Sequence, residues 1–104
     1  MTTVARGEIW TYQGIARVRT VLVVSADELN MAGLPMTCEI TDVAPTGMRA
    51  MLAVPVPGHG RVLIRPTAAA DPAHFMQHLG TADPATMAEV NMSLRAAFGL
   101  SDDD

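Results

Sequence analysis

All seven basic residues of the 104-residue chain are arginines, and two of them, Arg17 and Arg19, stand at the mouth of the stretch RVRTVLVVSADELN. Its run from Val21 to Val24 has no polar interruption, and so short an apolar run reads as a central strand buried on both faces. If the chain reverses near Asn30 and returns as PMTCEIT, Pro35 to Thr41, positions symmetric about the turn oppose one another. Arg19 then faces Thr41 at one end of the sheet. A guanidinium offers a fixed fork of donors and a threonine adds a short-range hydroxyl, a pairing suited to an oxyanion or a phosphate. A slip of one residue in register would turn Thr41 to the other face.

Other groups with chemistry are fewer. His59 lies between glycines in PVPGHG, where a loop-tip histidine is exposed and titrates near neutrality, able to carry a proton. His74 and His78 have the i, i+4 spacing that can share a metal on a helical face, but no third ligand lies nearby in sequence. Packing or surface is the expectation for both, with no metal and no cofactor. The single cysteine, Cys38, alternates with Met36 and Ile40 and reads as a small core residue. Trp10, the only tryptophan, is expected in the core rather than stacked on a base.

The elements that must position these groups follow in order. Arg6 to Gln13 reads as a first strand carrying Ile9, Trp10 and Tyr12, with a very short link at Gly14 before the central strand. Ser25 and Glu28 have capping-box spacing for one helical turn. An apolar strand from Met48 to Val54, a loop over Pro55 to Gly60 and a returning strand from Arg61 to Arg65 predict a hairpin. Pro66 to Ala70 reads as a linker, and Asp71-Pro72 as the start of a short helical turn. The last helix is the plainest: Asp83 as N-cap, Pro84 at the first position and Gly99 as the stop predict a helix from Pro84 to Phe98. Met87, Val90, Leu94, Ala97 and Phe98 form its docking stripe, with Ala88, Met92 and Ala96 on the far side.

With 49% hydrophobic residues the chain, residues 1–104, makes one domain with a modest core, small enough for an oligomer to help it. No segment approaches the roughly 20 apolar residues of a membrane span, and the first seven residues lack signal-peptide features, so a cytoplasmic location without membrane contact is expected. The net charge of −4 argues against a broadly basic nucleic-acid binder, yet without the three terminal aspartates, in a tail over residues 101–104 expected to fray, the balance is −1. Arg17, Arg19, Arg49, Arg61 and Arg65 fall near predicted strand ends, where they can form a local patch.

The opening RGEIW, the strand RTVLVVSADELN, the ending EIT and the C-terminal LGTADPATMAEVNMSLRAAFGL, in this order and spacing, resemble the MazF/PemK family of toxin endoribonucleases. The resemblance implies an α+β fold that is mainly β, a small, strongly twisted, barrel-like antiparallel sheet with a C-terminal helix packed on it. It also implies a homodimer, sequence-selective cleavage of single-stranded RNA to cyclic-phosphate and 5′-OH ends, and neutralisation by a cognate antitoxin. The family's catalytic arginine falls on Arg19 and its catalytic threonine on Thr41; Arg17, Gln13, Arg49, His59 and Arg65 are the expected RNA contacts. Three positions depart from the family pattern: Thr20 stands where a proline is common, Asp42 where a serine is, and Ala68 where an arginine is. Asp42 beside a phosphate site would require neutralisation by Arg17, Arg19 or Arg65. A non-catalytic member that binds antitoxin or RNA is the alternative reading. Relatives that poison gyrase through the last helix often carry a C-terminal tryptophan, absent from GLSDDD.

Overall fold

The computed structural model describes residues 3–44, 46–47 and 52–100. Its strands are β1 (Glu8–Gln13), β2 (Val18–Val23), β3 (Met36–Thr41), β4 (Ala53–Val56), β5 (Gly60–Leu63), β6 (Ala68–Ala69) and β7 (Phe75–Thr81), with helices α1 (Asp27–Met31) and α2 (Pro84–Ala97). One antiparallel sheet takes the order β4-β5-β3-β2-β1-β7, and β6 pairs with β3 beside β5. The two ends of that order approach each other. Nε2 of His59, in the β4–β5 turn, lies 3.9 Å from where a Cβ on Gly80 of β7 would stand, so this turn comes against β7. The described residues include no helix long and apolar enough to cross a membrane.

β2 is the centre of the sheet, and its alternate residues feed two separate cores. Leu22 and Val24 pack with Ile9, Cys38, Ile40, Val62 and, from α2, Val90. Val21 and Val23 point the other way, into a cluster with Val4, Tyr12 and Phe75. A strand buried on both faces has no room for polar alternation, which is why its sequence is an unbroken apolar run. Cys38 belongs to the first core as expected; burial pushes its thiol up, partly countered by Thr67, so it stays protonated.

Several boundaries differ from the sequence expectation. β1 begins at Glu8, because Gly7 takes φ +89° in the turn before it, and the Arg6 side chain reaches the Val24 carbonyl and the Asn91 side chain. The cap of α1 is Ala26 without a side-chain bond, since Ser25 is engaged by the Asn30 side chain and accepts from the Met36 amide at 2.9 Å. Pro55 and Val56 lie in β4, not in a loop; Pro55 is tolerated because β4 is the sheet's edge, where a missing N–H leaves no bond unmade. The expected strand over Met48 to Val54 begins only at Ala53, its first four residues lying outside the described residues, and β5 ends at Leu63. The expected linker contains β6.

The largest miss is β7. His74 ends a single 3-10 turn capped by Asp71, and His78 lies in a strand, so the two never share a helical face. His78 instead stacks on Trp10 with ring centres 5.0 Å apart. α2 is where the capping residues place it: Asp83 accepts from the Thr86 amide at 2.7 Å and Gly99 takes φ +70° past the end. Val90 is buried and Met87 and Leu94 are partly so, but Ala97 and Phe98 are exposed and Thr86 is buried in their stead.

Candidate active site

The second face of the sheet changes character along its strands. Beyond the apolar cluster of Val21, Val23, Tyr12 and Phe75, β2 carries Arg19 and β3 carries Glu39 and Thr41. Thr20 pairs with Ile40, and the next antiparallel step sets Arg19 opposite Thr41, on one face. Thr41 also pairs with Arg61 of β5. Two adjoining cavities open here. One, of about 260 Å³, is lined by Arg17, Arg19, Glu39, Thr41, Asp42 and His59 among others. The other, of about 90 Å³, is lined by Tyr12, Arg19, Glu39 and the Ala68–Ala70 segment. Arg19 and Glu39 belong to both.

Each side chain has a local reason for its place. The Arg19 guanidinium lies 6.0 Å from the centre of the Tyr12 ring, its register partner on β1. On its other side a Cβ at Gly14 would stand 3.0 Å from Arg19 Nε, so the absence of a side chain at Gly14 leaves the guanidinium its space. Among the described residues the Arg19 guanidinium makes no hydrogen bond. Thr41 Oγ1 accepts from the Val43 amide at 3.1 Å, a turn that fixes the hydroxyl at the strand end. Arg17 Nη2 donates to Glu39 Oε1 at 2.6 Å, with side chains 66% and 22% exposed. An ion pair that open is worth about 0–1 kcal/mol, enough to bias the orientation of Glu39 without locking it.

Of the expected site residues, the structure gathers Arg17, Arg19, Thr41 and His59 around one cavity. Gln13 lies just beyond it at the end of β1, its amide donating to the Gly14 carbonyl at 3.0 Å. Arg65 follows β5 at the end away from Thr41 and lines neither cavity. Arg49 is outside the described residues. Arg17 is engaged by Glu39, not by Asp42, because Glu39 shares the site face while Asp42 is past the strand end and exposed. Glu39 and Tyr12 are the site neighbours that sequence reasoning passed over. Two-residue spacing puts Glu39 on Thr41's face, and that signal was there to be read.

Comparisons with known proteins agree with this architecture. An endoribonuclease in complex with its cognate antitoxin, from a mycobacterial species, superposes with a TM-score of 0.82 at 22% identity over 97% of this chain and 98% of that one. MazE-MazF from Deinococcus radiodurans gives 0.82 at 23% identity, covering 97% and 100%. Mycobacterium tuberculosis toxin MazF-mt6 gives 0.72 at 15% identity, covering 90% and 98%. At these identities the likeness is one of fold. No curated protein sequence matches the chain. The profile described as PemK-like, MazF-like toxin of type II toxin-antitoxin system matches residues 5–98, nearly the whole chain. The chain therefore belongs to the PemK-like, MazF-like toxin family of type II toxin-antitoxin systems.

Proposed function

We propose that this toxin is a metal-independent, sequence-selective endoribonuclease acting on single-stranded RNA, with Arg19 and Thr41 at its catalytic centre. The observation that carries the reading is Arg19 itself: a guanidinium with no hydrogen-bond partner among the described residues, register-opposite a fixed threonine hydroxyl in an open cavity. Attack of a ribose 2′-hydroxyl on the adjacent phosphorus gives a cyclic phosphate and a 5′-hydroxyl end. It needs positioning, proton movement and stabilisation of charge on the phosphoryl oxygens. Arg19 supplies the charge, and Thr41 hydrogen-bonds a phosphoryl oxygen. Arg17 and His59 border the same space, and Gln13 lies at its rim. The toxin works as a homodimer and is silenced by a cognate antitoxin whose segment covers Arg19, a partner of the kind named in the mycobacterial complex.

The test is incubation of the purified protein with a long single-stranded RNA in EDTA, with fragment mapping and end-group analysis, and the Arg19→Ala protein alongside. Discrete fragments with 5′-hydroxyl ends, reduced at least about 100-fold in the variant, are the expected result. Cleavage by Arg19→Ala at the wild-type rate would overturn the site, and intact RNA with the wild type would favour a toxin that binds without cleaving.

A further inference from the structure

We propose that Glu39 is the general base of the reaction, taking the proton from the ribose 2′-hydroxyl while Arg19 and Thr41 hold the adjoining phosphoryl group. This rests on the ribonuclease reading above and names the residue that reading lacks. Glu39 precedes Thr41 by two residues on one strand, so both side chains leave the same face about 7 Å apart. That separation suits one residue bonded to a phosphoryl oxygen and a longer one reaching the neighbouring 2′-oxygen. Glu39 lines both cavities, and its side chain is only 22% exposed. Arg17 holds Oε1, whereas Oε2 has no hydrogen bond among the described residues and is available to accept a proton.

The other groups around Glu39 serve less well. Arg17 and Arg19, from β2 and its preceding turn, and Arg61 of β5 carry guanidinium groups, which offer donors and no acceptor. The Tyr12 hydroxyl of β1 is engaged by the Asp71 amide at 2.9 Å. Asp42 is exposed beyond the end of β3, and His59 carries its Nε2 toward Gly80 of β7. In the step itself the 2′-oxygen gives its proton to Glu39 Oε2 as it bonds to phosphorus, and the bond from phosphorus to the 5′-oxygen breaks. That oxygen takes a proton from a water molecule, and the Glu39 carboxyl returns its own to the hydroxide so formed. Arg17 is then a positioning residue, biasing the rotamer of the carboxylate through the other oxygen.

The experiment measures kcat and KM for the full chain against pH, in EDTA, on a single-stranded RNA oligonucleotide carrying the sequence cut by the wild type. Glu39→Gln is expected to lower kcat by about 10²–10⁴-fold, with KM nearly unchanged, and to abolish the fall in rate toward acid pH where a carboxylate base takes up its proton. Glu39→Asp keeps that acid limb but pulls the carboxylate back by one methylene, lowering kcat about 10-fold. A Glu39→Gln protein with wild-type kcat, with a loss confined to KM, or with the acid limb intact would overturn the assignment. If that variant does not fold by circular dichroism, Glu39→Asp decides, a wild-type kcat there overturning it. Absence of cleavage by the wild type removes the ribonuclease reading itself and this inference with it, a result distinct from any difference among variants.

Discussion

At Gly60 a β-carbon would stand 2.3 Å from the carbonyl oxygen of Thr41 and 3.2 Å from Cα of Asp42, and the residue takes φ +112°. Both obstacles are backbone, which no rotamer change can relieve, and the conformation is one that L side chains rarely adopt. The end of β3 that carries the site threonine is thus seated directly against the start of β5. Gly60→Ala must displace the two strands, adding about 1–3 kcal/mol of backbone strain to the clash. At about 4–8 °C per kcal/mol for a chain of this size, Tm should fall by about 10 °C. Cleavage should fall about 100-fold, since a shift of about 1 Å at a reacting centre has that cost. Gly58 is the control: it takes φ +83° but an added Cβ meets nothing within 4 Å, so Gly58→Ala carries the strain without moving Thr41. It should lose stability and keep its rate. Equal rates in the two variants would show that the Gly60 contact does not position the site.

Among the elements, legibility in the sequence followed how much of each signal was local. The end caps of α2 are complete within its own residues, and the apolar run of β2 could hardly be anything but a central strand, so both were placed correctly together with the Arg19–Thr41 register. β7 escaped because its exposed side chains, Met76, Gln77, His78 and Leu79, carry no alternation; it is a strand because β1 offers an open edge. β6 is two alanines long and exists only against Met36 and Thr37. Glu39 was passed over since its partner, Arg17, is 22 residues away and lies in a turn. The α2 cap itself is testable. The Asp83 carboxyl sits below its ordinary value of 3.8, chiefly through the Thr86 amide, so its folded form favours the charged state. The stability it contributes is therefore fully present above that ordinary value and is lost as pH falls through the lower native one. Asp83→Ala should melt below wild type at pH 7. Against Asp83→Asn, which keeps an acceptor without the charge, the wild type's Tm advantage at pH 7 should shrink toward pH 2. An advantage constant across that range would mean the charge is irrelevant to the cap.

For the molecule as a whole, charge and exposed apolar surface pull in different directions. The net charge of −4 keeps copies apart, with three of the negative charges in the last three residues. Against this, Met31, Leu34, Met92, Phe98 and Leu100 are each more than half exposed, the last three along and just past α2. Phe98 was expected to dock on the sheet, and its exposure means that this end of the helix finds no cover among the described residues. A stable interface takes about 800 Å² from each partner, roughly an eighth of the 6426 Å² accessible here. Apolar burial of about 25 cal/mol per Å² over even half of that area outweighs a repulsion between tails that salt screens within about 8 Å. Sedimentation at micromolar concentration should therefore report about 22 kDa, twice the 11.0 kDa of the chain. Arg19→Ala and Glu39→Gln should sediment identically, because neither belongs to the exposed apolar set, and their loss of activity then belongs to chemistry and not to assembly. A species of 11 kDa at that concentration would instead leave the apolar end of α2 to a partner other than a second copy of this chain.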